Sequence, residues 1–92
     1  MAAEFEWDEA KAASNLAKHG LSFDEAMEVF ADPEIVVFPS VRTADGEDRF
    51  KAVGRIGARV FTVVFTERDS AKRLISARRA NRSGERLYDG PP

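Results

Sequence analysis

In the stretch RFKAVGRI, residues 49–56, cationic side chains recur with a period of two: Arg49, Lys51 and, after Val53, Arg55. That period belongs to a strand, so these side chains leave one face while Phe50, Ala52, Gly54 and Ile56 leave the other. Arg78 and Arg79 are adjacent where the last extended stretch, 73–78, ends, so they leave it on opposite faces and one of them joins the cationic face in either register. Arg82 and Arg86, four apart in a helical stretch, share a side and extend the patch. From Arg68 to Arg86 six of the seven basic residues are arginine. A guanidinium can hold a phosphate bidentately and keeps its charge at neutral pH. Several of them on one concave face trap a polyanion. Taken alone, Arg49, Lys51 and Arg55 fit equally well a solvated face that stops an exposed sheet from aggregating. The convergence of two strands and a helix favours phosphate binding.

Other chemistries are sparsely supplied. Cysteine is absent and His19 is the only histidine, so no disulfide, thiolate site or histidine-rich metal site is expected. No cofactor motif is present, and Gly54 and Gly57 lack phosphate-loop spacing. Imidazole is the side chain type that ordinarily changes charge near neutrality. His19 nevertheless reads first as the capping residue of a helix and second as an acid or base. The pairs Asp24 with Glu25 and Glu67 with Asp69 read as capping and turn residues, and Trp7 as a core anchor.

The elements that must position these groups follow from periodicity. Asp8 caps a first helix in which Ala10, Ala12, Ala13, Leu16 and Ala17 give a shallow apolar stripe, and Gly20 ends it after His19. Ser22 opens a second helix with Glu25 in a capping box, and Asp32 with Pro33 stops it. Phe23, Ala26, Met27 and Phe30 form its inward face. The period then changes to two, predicting strands with cores at 35–38, 49–56, 60–66 and 73–78. A polar loop over 39–48, a tight turn at Gly57 and Ala58, and a charged turn over 67–72 connect them as a meander. A short helix over 81–88 contains the unfavourable Gly84. The fold class is α+β: two N-terminal helices packed on a four-stranded antiparallel sheet with a short C-terminal helix, in a single domain of 92 residues.

The net charge of −2 hides a polarised chain. Residues 1–46 carry 3 basic and 10 acidic side chains, whereas residues 47–92 carry 11 basic and 6 acidic ones. A nucleic-acid partner is therefore compatible with an acidic pI. The start MAAEFEWDE lacks the features of a signal peptide, and the longest apolar stretch, 60–65, is far short of the roughly 20 residues that span a bilayer. A soluble, cytoplasmic protein without membrane contact is expected.

Three stretches carry a family resemblance: FEWDEAKAASNLAKHGLSFDEAMEVFADP at 5–33, GEDRF at 46–50 and LISARRA at 74–80. With KHG, SFDEA and ISAR in this order, the chain resembles the BrnT family of bacterial type II toxins from Phe5 to about Asp89. The resemblance implies a RelE-like ribonuclease that cleaves mRNA and inhibits translation. It implies a cognate BrnA-like ribbon-helix-helix antitoxin, which neutralises the toxin and brings the complex to operator DNA. Related toxins cleave without metal, by attack of the ribose 2′-hydroxyl on the adjacent phosphorus. The resemblance places Arg49, Arg55, Arg78 and Arg79 as phosphate and transition-state ligands and His19 as an acid/base candidate. Lys51 and Lys11 become secondary RNA contacts, with Arg82 and Arg86 extending the RNA-binding surface. Tyr88 is open between helix packing and a site hydroxyl. Family members often carry a glutamate near the position of Gly84, where this chain has its acid one place later, at Glu85. The competing reading is a non-catalytic adaptor that uses the same basic face to bind nucleic acid or protein.

Overall fold

Asp8 begins the helical layer as predicted: its carboxylate accepts the Ala10 and Lys11 backbone N–H groups at 2.8 and 3.1 Å. These bonds, Lys11 first, hold the Asp8 carboxyl below its ordinary pKa. In the computed structural model, which describes residues 4–40 and 48–90, helix α1 runs Glu9–His19 and Gly20 ends it at a left-handed φ of 68°. The expected apolar stripe is only partly inward. Ala12 packs on the core, but Leu16 stands 49% exposed and the buried residue of α1 is the polar Asn15.

The Ser22–Glu25 capping box is present and opens α2, Phe23–Ala26. The expected single helix tightens after one turn into a 3₁₀ segment, Met27–Ala31. Residues three apart share a side of an α-turn and eclipse in a 3₁₀ turn, so Phe23, Ala26 and Val29, all buried, form one ridge across the change. That ridge sits on strand β3 where Gly54 leaves room: a Cβ there would lie 2.8 Å from Val29 Cγ1 and 2.9 Å from its carbonyl oxygen.

The strands are β1 Glu4–Glu6, β2 Val36–Pro39, β3 Phe50–Ile56, β4 Arg59–Arg68 and β5 Ala71–Arg79, in spatial order β1-β5-β4-β3-β2. The meander β2–β5 is antiparallel, as expected. The four-stranded antiparallel sheet needs one correction: the segment before α1 is a fifth strand, β1, which joins β5 in parallel with Glu4 opposite Ala71 and makes a five-stranded mixed sheet. Three residues with one apolar member show no periodicity. What holds them is tertiary: Phe5 meets Phe30 at 5.2 Å between ring centroids, and Glu6 pairs with Arg73 at 3.9 Å. The charged turn closes more tightly than predicted, with Asp69 and Ser70 both at positive φ, the geometry of a primed hairpin turn. Most of the polar loop expected over 39–48 lies outside the described residues.

One sheet face packs on α1, α2 and the 3₁₀ segment through Ala52, Val63, Phe65, Leu74 and Ala77. Leu74 and Ala77 share that face although three apart, because a bulge inserts Ile75 between the pairs Val64–Ser76 and Phe65–Leu74. Helix α3, Arg82–Asp89, lies across the opposite face, contacting β3 and β4 and burying Val53 and Thr62, so that face is only partly open. Gly84 permits this approach: a Cβ would lie 3.2 Å from Thr62 Oγ1. Among the described residues no helix is long and apolar enough to cross a membrane.

Candidate functional site

A cleft of about 320 Å³ opens between α1 and the β5 edge of the sheet, beside the partly open face. α1 lines it with Lys11, Ser14, Lys18 and His19, β5 with Ser76, and the residue before β3 with Arg49. The Arg49 backbone is pinned because its carbonyl accepts the Ser40 N–H at 2.7 Å. Its side chain is less satisfied: Arg49 Nε is buried and has no hydrogen-bond partner among the described residues. Buried polar atoms are nearly always bonded, so the guanidinium that carries this orphaned donor, on a residue lining the cleft, gains by turning toward an acceptor that enters the cleft.

The α1 wall is held by Asn15. Its Nδ2 donates to the carbonyls of Ala77 at 2.8 Å and Leu21 at 3.0 Å, and its Oδ1 accepts the Ala77 N–H at 2.9 Å. β1 pairs with β5 only from Ala71 to Arg73, and farther along Asn15 supplies the bonds a neighbouring strand would make. Lys11, Ser14, Lys18 and His19 are thereby placed beside Ser76. Across the sheet Lys51 pairs with Val64 and Val64 with Ser76, while Val53 pairs with Thr62 and Thr62 with Arg78. Lys51 and Arg78 therefore share the face of the cleft.

The other predicted residues lie elsewhere. Arg55 sits with its guanidinium carbon 5.5 Å from the centre of the Tyr88 ring, and its backbone N–H donates to Asp32 Oδ2 at 2.7 Å. The Tyr88 hydroxyl donates to the same oxygen at 2.7 Å. That bond comes first in lowering the Asp32 pKa, aided by the Glu34 and Arg55 amides, and first in raising that of Tyr88. Tyr88 is thus a clasp between α3 and the turn before β2, with its phenolate disfavoured. Arg79 pairs with Phe61, not on the Arg78 face, and lines a second cleft at the β3–β4 hairpin with Arg55 and Arg59. Arg82 and Arg86 are exposed on α3, away from its buried Gly84. The predicted set is therefore divided: Arg49, His19 and Lys11 share one cleft, with Lys51 and Arg78 on the same face, and Arg55 and Arg79 share another.

Sequence reasoning missed Ser14, Asn15, Lys18, Ser76, Asp32 and Arg59. A signal existed for Ser14, Asn15 and Lys18: with Lys11 they recur at three and four, a polar stripe on the alanine-rich helix. Among the described residues no three carboxylate or imidazole groups gather as a metal site.

No curated protein matches the chain. A family model described as ribonuclease toxin, BrnT, of type II toxin-antitoxin system matches residues 7–84, from the residue before the α1 cap into α3. The match includes every residue of the Arg49 cleft. The chain belongs to the BrnT family of ribonuclease toxins.

Proposed function

We propose that the Arg49 cleft is the reactive centre of an endoribonuclease that cleaves mRNA without metal and so inhibits translation in the cytoplasm. The observation that carries this reading is the orphaned Arg49 Nε on a cleft shared with Lys11, Lys18 and His19. The ribose 2′-hydroxyl attacks the adjacent phosphorus and loses its proton to water. The bond from phosphorus to the 5′-oxygen breaks, and the leaving oxygen takes a proton from His19. The products are a 2′,3′-cyclic phosphate and a 5′-hydroxyl. Charge builds on the non-bridging oxygens, where Arg49 and Lys11 donate. Each preorganised donor of this kind is worth about 10²- to 10³-fold in rate. Lys51 and Arg78 hold the strand on the same face, and Arg55 and Arg79 act in binding beyond α3.

Membership of a type II system implies an antitoxin protein as partner. In this reading it is a ribbon-helix-helix protein that covers the basic face and carries the complex to operator DNA. Purified chain incubated with RNA in chelator, with and without ribosomes, tests the reading through mapped RNA ends. Fragments with cyclic or 3′-phosphate and 5′-hydroxyl ends are expected. Intact RNA under both conditions, despite binding, would favour the adaptor.

A further inference from the structure

The second cleft, about 220 Å³ at the β3–β4 hairpin, holds both signs of charge. Arg55, Arg59 and Arg79 line it together with Glu85 and Asp89 from α3. Glu85 and Asp89 are four apart and share the flank of α3 that faces the cleft. Among the described residues no ion pair joins any two of these five. Donors and acceptors thus face one space without neutralising each other. Its volume falls below the roughly 300–1,000 Å³ of sites for drug-sized ligands, and suits a single ring system.

We propose that this cleft reads one base of the RNA strand, and that the base is guanine; the proposal rests on the ribonuclease reading. A phosphate presents only acceptors, so Glu85 and Asp89 oppose it. A base presents both kinds of group. Guanine offers adjacent acceptors, O6 and N7, to arginine, and adjacent donors, N1–H and the 2-amino group, to a carboxylate. The other three bases lack that combination and forgo the paired bonds to a guanidinium or to a carboxylate. Arg55 is already ordered over Tyr88, and an ordered guanidinium plane is a platform on which a base can stack. Arg49 and Arg55 are six residues apart along one extended run, roughly 20 Å at about 3.3 Å per residue. The base read therefore lies several nucleotides from the bond cut.

The test is cleavage of an RNA pool randomised around the cut, by wild type and by Glu85→Gln and Asp89→Asn, with thermal unfolding confirming that each variant folds. Wild type should cut with guanine enriched at one fixed offset of several nucleotides. Inosine at that offset, which lacks the 2-amino group, should lower kcat/KM about 10-fold or more. At least one of the variants should lose the distinction between guanine and inosine. A cut pattern with no fixed-offset guanine, or a guanine preference undiminished in both variants, would overturn the proposal while leaving the ribonuclease standing. If wild type cuts nothing, the ribonuclease reading fails. The cleft is then decided by fluorescence anisotropy of 2′-O-methyl oligonucleotides: equal affinity with and without guanine overturns it, and guanine-dependent affinity lost in Glu85→Gln supports it.

Discussion

Arg49 and Asn15 show how differently two polar side chains can be used a short distance apart. Asn15 is buried and bonded through both its amide nitrogen and its oxygen, and Arg49 is half-buried with its Nε donor unpaired among the described residues. Asn15→Ala should leave the Ala77 and Leu21 backbone groups unpaired and destabilise the fold by about 1–3 kcal/mol, read as a lower urea midpoint. Arg49→Lys keeps the charge but loses the planar fork, so cleavage should fall well below wild type with the urea midpoint little changed. The cationic character of Arg49, Lys51 and Arg55 was legible because alternation in a strand is strict. Their division between two clefts was not, since α3 crosses the face only through tertiary packing. Asn15 was hidden for a similar reason: its value lies in bonding a residue 62 positions away.

At the scale of elements, caps and turns are local chemistry and could be read directly, as Asp8, Ser22 with Glu25, and Gly20 illustrate. β1 and the 3₁₀ segment could not, because one depends on a parallel neighbour 67 positions away and the other on the space above Gly54. Gly54→Ala should force Val29 outward and cost about 1–3 kcal/mol of stability by overpacking, measurable by thermal unfolding. The α3 clasp carries a pH signature. Asp32 titrates lower folded than unfolded, so its contribution is present above the ordinary 3.8 and is lost as pH falls through the depressed folded value. Tyr88 is raised above 10.0, so its contribution is present below that value and is lost as pH rises through the folded one. Tyr88→Phe should flatten the stability profile at both ends, and a profile identical to wild type would show that the clasp does not hold α3.

At the scale of the whole molecule, the net charge of −2 divides between an acidic helical half and a basic sheet-and-tail half. The fold keeps that division in space only in part, since α1 turns Lys11 and Lys18 toward the basic face. RNA binding should accordingly weaken with salt, and removing one phosphate contact, as in Arg78→Ala, should lower the slope of log K against log salt by about 0.7. In the proposed reaction the guanidinium of Arg49 acts at the scissile phosphate. Single-turnover cleavage of one RNA by Arg49→Ala, compared with wild type at saturating protein, tests it most directly. A rate lower by about 10²- to 10³-fold in a folded variant is predicted, and an unchanged rate would contradict it.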